Sequence, residues 1–113
     1  MRYIKHKYGA QRTQRHGVKF DSKLEANCGS VLEGMKSRGE ILFYLRQVPI
    51  DLLGGIKHRV DFFVFTHDAA YFIEAKGRDL SEGKARRAMA EDAIGVEIHV
   101  VTKPEQIYGI VLD

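Results

Sequence analysis

A chain of 113 residues and 12.9 kDa leaves room for one domain built on one core. With 44% hydrophobic and 29% charged residues, two Pro and eleven Gly, the composition excludes disorder and a fibrous repeat, and no apolar run approaches the roughly 18 residues of a membrane span. The net charge of +3 is unevenly spread: residues 1–20 carry Arg2, Lys5, Lys7, Arg12, Arg15 and Lys19 and no acid, whereas the rest of the chain carries 12 basic and 15 acidic residues.

That basic stretch is interleaved with Tyr3, His6, Tyr8 and His16 and has neither helical nor strand periodicity. It reads as an extended arm, either suited to lying along phosphates or simply solvated. It lacks the apolar segment of a secretory leader, and a lone cysteine, Cys28, forms no internal disulfide and no cysteine-based zinc cage. The expected setting is the cytoplasm, with residues 21–113 as the folded domain.

Asp21 and Ser22 open the first predicted helix, in which Leu24, Cys28, Val31, Leu32 and Met35 form one apolar stripe before Gly39 stops it. A strand is expected over 41–45, closed by Pro49 and the Gly54-Gly55 pair. Two further strands, over 57–65 and 70–75, flank the polar break at His67-Asp68-Ala69 and read as a hairpin. Val60, Phe62 and Val64 are expected on one face and Phe63 and Phe65 on the other, as in a sheet covered on both sides. Ser81 is the expected N-cap of a second helix with Ala85, Ala88, Met89 and Ala93 as its apolar edge, ended by Gly95. A last strand over 96–102 follows and should return parallel, and Pro104-Glu105-Gln106 opens a short terminal helix. The order α-β-β-β-α-β predicts a single α/β domain, a mixed central sheet flanked by helices.

Three groups in the hairpin are costly to bury unpaired: Asp61, Glu74 and Lys76. Glu74 and Lys76 share a face by the period of two. A turn around Asp68-Ala69 with an even-length loop sets Asp61 opposite Lys76 and diagonal to Glu74 on that face, whereas an odd loop dissolves the cluster. Two carboxylates with a backbone carbonyl such as that of Ala75 make a site for Mg²⁺ or Mn²⁺, and Lys76 beside it suits the charge of a phosphoryl transition state. That chemistry is phosphodiester hydrolysis. Glu25 is a fourth candidate, although Ser22-x-x-Glu25 also matches a capping box.

Asp61, twelve residues, then Glu74-Ala75-Lys76, preceded by a helix bearing Glu25, resembles the PD-(D/E)XK nucleases. Further segments are Lys7-Tyr8-Gly9-Ala10, Gly17-Val18-Lys19-Phe20-Asp21-Ser22-Lys23-Leu24-Glu25, Gln47-Val48-Pro49, Val60-Asp61-Phe62 and Glu74-Ala75-Lys76-Gly77. In order, these are similar to phage endonuclease I-type Holliday-junction resolvases and related small phage nucleases, over residues 7–103. Val60 stands where the family name has proline, and the longer basic C-terminal segment of some relatives is missing.

The resemblance implies an αβββαβ restriction-endonuclease-like core and a metal-dependent, structure-specific DNA endonuclease, with Glu25, Asp61 and Glu74 as metal-binding acids and Lys76 as the catalytic lysine. Gln47 either matches a glutamine of related small nucleases or bonds the backbone at a strand end. Arg78, Lys84 and Arg87, with the arm residues Arg2, Lys5, Lys7, Arg12, Arg15 and Lys19, are the expected DNA contacts, although Lys84, Arg86 and Arg87 also fit an ordinary charged helix face. His58, His67 and His99 show no ligand spacing and are assigned no role. Symmetric cutting of a branched junction predicts a homodimer, with no membrane and no small-molecule cofactor. The alternatives are a nuclease or nuclease subunit acting on linear duplex, and a non-catalytic DNA-binding module.

Overall fold

The structure, a computed structural model, describes residues 22–112, the backbone of 13–15 and 18–20, and the Phe20 side chain. A two-stranded antiparallel ribbon, β1 (Thr13–Arg15) and β2 (Val18–Phe20), precedes α1 (Lys23–Ser37). A four-stranded sheet then follows: β3 (Phe43–Asp51), β4 (Lys57–Phe65), β5 (Ala70–Ala75) and β6 (Ile98–Val101). Helix α2 (Ser81–Ile94) joins β5 to β6, and α3 (Gln106–Val111) ends the chain. The sheet order is β3-β4-β5-β6, antiparallel except for the parallel β5/β6 pair, so the domain is α/β with a mixed sheet. Among the described residues no helix is long and apolar enough to cross a membrane.

The Ser22 hydroxyl caps α1 by accepting the Glu25 N–H at 3.0 Å, and Gly39, at φ 77°, turns the chain away at the other end. The stripe Cys28, Leu32 and Met35 is fully buried against Phe62, Val64, Ile73, Val101 and Ile107, which places α1 and α3 on one face of the sheet. Each such side chain taken from water contributes about 1.5–3 kcal/mol. Phe20 anchors the ribbon on α1 at Gly29, where an added Cβ would lie 2.7 Å from the Phe20 ring. On the other face, Ala90 and Ile94 of α2 cover Ile50, Leu52, Val60, Ile98 and Phe72.

Several expectations need correction. The arm is not extended throughout, because 13–15 and 18–20 form the ribbon. Strand β3 starts at Phe43 and runs through Pro49, which is tolerated because β3 is a sheet edge and the missing N–H needs no partner on the open side. The last strand is limited to Ile98–Val101. The N-cap of α2 is Leu80, without a side-chain cap, and Ser81 is the first helical residue. The expected apolar edge of α2 is displaced: Ala85, Ala88, Met89 and Ala93 are exposed, and the inward positions are Gly83, Arg87, Ala90 and Ile94. Small residues give α2 a weak apolar pattern, so its rotation is set by what Arg87 meets inside.

The hairpin has an even loop, as the expected cluster requires, but its turn is centred on His67-Asp68, with Thr66 N–H donating to the Ala69 carbonyl at 2.8 Å. The register Phe62↔Ile73 is therefore shifted by two residues, and continued by one rung it sets Asp61 opposite Glu74, not Lys76. Nor do Val60, Phe62 and Val64 share one face. Phe62 and Val64 pack under α1, while Val60 packs under α2. Its partner strand changes in step, with Tyr44 on the α1 side and Ile50 on the α2 side. The change falls at Gln47, whose φ is 51°, opposite Asp61, between the paired rungs Arg46↔Phe62 and Val48↔Val60.

Candidate active site

Where β3 and β4 change faces, the strands open enough for side chains to replace ladder hydrogen bonds. Asp61 Oδ2 accepts the Ala75 N–H at 2.9 Å, bridging β4 to β5 just past the Phe62–Ile73 pair. Its Oδ1 accepts from Gln47 Nε2 at 3.2 Å. The same nitrogen donates at 2.9 Å to Oε2 of Glu25, which is 3% exposed in the first turn of α1. Arg46 Nη2 also approaches that oxygen, at 3.4 Å, with its guanidinium stacked 4.1 Å from the centre of the Phe20 ring. Only the Ser22 half of the capping box is seen: the Glu25 carboxylate points to Gln47 and Arg46. Burial pushes the Asp61 carboxyl above its ordinary value; the Ala75 N–H, the Lys76 charge and the Gln47 amide oppose this, and the Glu74 charge adds to it.

Glu74, opposite Asp61 on β5, is 1% exposed and is turned toward α2. Its Oε1 is hydrogen-bonded to His58 Nε2. Its Oε2 stands 3.5 Å from Arg87 Nη1 and has no hydrogen bond among the described residues. Arg87 grips Asp79 with two bonds, at 3.0 and 2.7 Å, which holds the Asp79 carboxyl below its ordinary value.

Lys76 follows β5, its N–H donating to the Val101 carbonyl at 2.9 Å. Its side chain lines a recess of about 350 Å³ with Asp61, Gln47, His58, Lys57, Arg59 and Arg86. An adjoining recess of about 310 Å³ shares Lys76, Gly83 and Arg86 and adds Arg78, Asp79, Leu80 and Glu82, the last paired with Arg86 at 3.2 Å. The two share one side of a groove that has Asp61 at one end and reaches the N-terminal end of α2, with basic side chains along it and Asp79 and Glu82 at that far end. Two larger recesses, about 430 and 510 Å³, are lined chiefly by apolar residues and hold none of the expected site residues.

The structure thus joins Glu25 to Asp61 through Gln47, places Lys76 in the recess that Asp61 lines, and sets Glu74, opposite Asp61, in a separate network. Among the described residues no three acids, histidines or cysteines close on one point. Gln47 links the carboxylate of Asp61 to that of Glu25, while the Glu74 carboxylate is bonded to His58. Ala75 meets Asp61 through its amide. Of the expected DNA contacts, Arg78 lines the groove and Lys84 is exposed outside it. Arg87 is removed from that group: it is 12% exposed and committed to Asp79 and Glu74. Arg2, Lys5, Lys7 and Arg12 lie outside the described residues, and the backbones of Arg15 and Lys19 belong to β1 and β2.

The sequence reading missed Arg46, His58, Lys57 and Arg59 as site residues, and it left Gln47 and Arg86 between a site role and a plainer one. Positions 57, 59 and 61 alternate along β4, a period-two signal that could have found the two basic residues. The His58–Glu74 pairing had no local signal. The donor set fits a divalent cation: two carboxylates already lie within 3.2 Å of one nitrogen, and Mg²⁺ needs only one or two carboxylates because it retains water and takes substrate oxygens. No protein-family model, curated protein or solved structure matches the chain.

Proposed function

We propose that this protein is a metal-dependent DNA endonuclease with a restriction-endonuclease-like core, and that branched DNA, foremost the four-way junction, is its substrate. The observation that carries the reading is Asp61 beside Lys76 in a recess rimmed by Lys57, Arg59 and Arg86, with the buried Glu25 joined to Asp61 through Gln47. Carboxylates at the floor and cations at the rim suit a phosphodiester backbone: the rim attracts phosphates, and the floor offers oxygen ligands. The element order and the motif resemblance support the same reading, and the resemblance supplies the junction preference.

Glu25 and Asp61 would hold Mg²⁺ or Mn²⁺ with the Ala75 carbonyl close by, and Glu74, opposite Asp61, would be the third acid of the set. A bound divalent cation supplies Lewis acidity toward the scissile phosphate and the attacking water. Lys76 places an ammonium beside the phosphate, where it neutralises charge that grows in the transition state and orients the water. Lys57, Arg59, Arg78 and Arg86 bind flanking phosphates, and the uncapped N-terminus of α2 adds backbone N–H groups at the far end of the groove. One chain offers one such recess, so paired cuts across a junction require two copies, working as a homodimer.

The test is incubation of synthetic four-way junctions and linear duplex with Mg²⁺. Wild type is expected to cut the junction and Lys76→Ala to fail. Cleavage of neither DNA, or full activity in Lys76→Ala, overturns the enzyme reading; equal cleavage of both DNAs removes the junction preference. A second reading, a DNA-binding module without cleavage, draws on the closure of Glu74 by His58 and Arg87. It predicts junction binding with no cutting at any divalent-ion concentration.

A further inference from the structure

Gln47 is the one non-glycine residue among those described with a positive φ, 51°, a conformation that side chains with a Cβ rarely adopt, and it adopts it inside a strand. Neither a turn nor a strand end requires it there, since β3 stays paired with β4 on both sides. The gain is at the end of the side chain, where Nε2 donates to Glu25 at 2.9 Å and to Asp61 at 3.2 Å. Because both partners are carboxylates, the amide nitrogen, not its oxygen, must face them, and its two N–H groups are divided between them.

We infer that Gln47 is a positioning residue that presets the Glu25–Asp61 pair for a divalent cation. Two carboxylates brought to one nitrogen repel, and without a donor between them they separate. Arg46 already meets Glu25 from the side, at 3.4 Å, and a second cation between the two carboxylates would compete with an ion for them. A neutral amide holds the pair convergent without adding charge at the spot a divalent ion would take. Strain at a backbone position that serves such a site is a recurrent feature of functional residues. The inference rests on the nuclease reading above and deepens it by naming what keeps its ligands together.

Gln47→Asn and Gln47→Gly both suit a left-handed backbone, so they keep the turn in β3; asparagine is one methylene too short to bridge, and glycine has no amide side chain. Each is titrated with Mn²⁺ by calorimetry beside wild type, at a temperature where circular dichroism shows it folded, and either variant suffices. Wild type is expected to bind Mn²⁺ and the variants to bind about 10–100-fold more weakly. Variant isotherms that coincide with wild type overturn the inference, even if the unfolding midpoint falls, because Gln47 is then structural only. A wild type that takes up no Mn²⁺ overturns the nuclease reading itself, and the inference with it.

Discussion

Glu74 and Asp61 face each other across β4 and β5, Asp61 joined to Glu25 of α1, and the surroundings of the two acids are opposite. Around Glu74 the charges close: His58 holds one oxygen, Arg87 faces the other, and Arg87 is itself clamped by Asp79. Around Glu25 and Asp61 a neutral amide takes the central place, and the nearby cations, Arg46 and Lys76, approach from the sides. The negative charge is felt inside the core, where burial, reinforced by Asp61 and Glu25, pushes the Cys28 thiol up to about 12. The closed network pins β4, β5 and α2 together. Carboxylates bridged by a neutral donor can exchange that donor for an ion, which is how ligand sites differ from structural ion pairs.

The largest effect should come from breaking the closed network. Arg87→Ala leaves Glu74 and Asp79 without their shared cation and should lower stability by about 3–5 kcal/mol, read as a lower urea midpoint. A loss under about 1 kcal/mol, the range of an exposed pair, would make the two clusters alike and break the comparison. The open cluster should respond in the opposite sense. Asp61→Asn should cut the cleavage rate by about 10²–10³-fold while making the metal-free protein more stable by about 0.5–2 kcal/mol.

The sign follows from burial. Folded Asp61 holds its proton more tightly than the unfolded chain, so its contribution to stability falls as pH rises from the ordinary carboxylate range through the raised folded value. The stability advantage of Asp61→Asn should therefore be small in acid and reach a plateau near neutral pH; a constant difference across pH would remove burial as its cause. The smallest effect sharpens the boundary of the groove. Arg86→Ala should reduce the salt dependence of DNA binding by about 0.9 in log–log slope, one lost phosphate contact, and Lys84→Ala, outside the groove, should leave it unchanged.

Much of this architecture was legible in local sequence rules. The Ser22 cap, the stripe of Cys28, Leu32 and Met35 and the parallel return of β6 all follow from nearest-neighbour chemistry and handedness. Asp61, Glu74 and Lys76 stand out as charged residues that a buried hairpin has little reason to hold, whereas Glu25, which also fits a capping box, is favoured by the family resemblance. The unread parts depend on distant partners. Parity fixes the face of Asp61 but not its rung, so the two-residue register shift was invisible without the Thr66 turn. No glycine announces the positive φ at position 47, and Gln47 shows its role only when α1 and β4 are both present. Arg87 resembles any surface arginine on a helix until Asp79 and Glu74 are set beneath it.

The central claim is that the Glu25–Asp61 pair is an ion site. A crystal soaked in Mn²⁺ and measured for anomalous scattering tests it most directly. The account predicts a peak within bonding distance of an Asp61 carboxylate oxygen, on the side of Glu25 and Lys76, with Gln47 Nε2 moved out of the way. A peak elsewhere, or none at Mn²⁺ concentrations that support DNA cleavage, would contradict it.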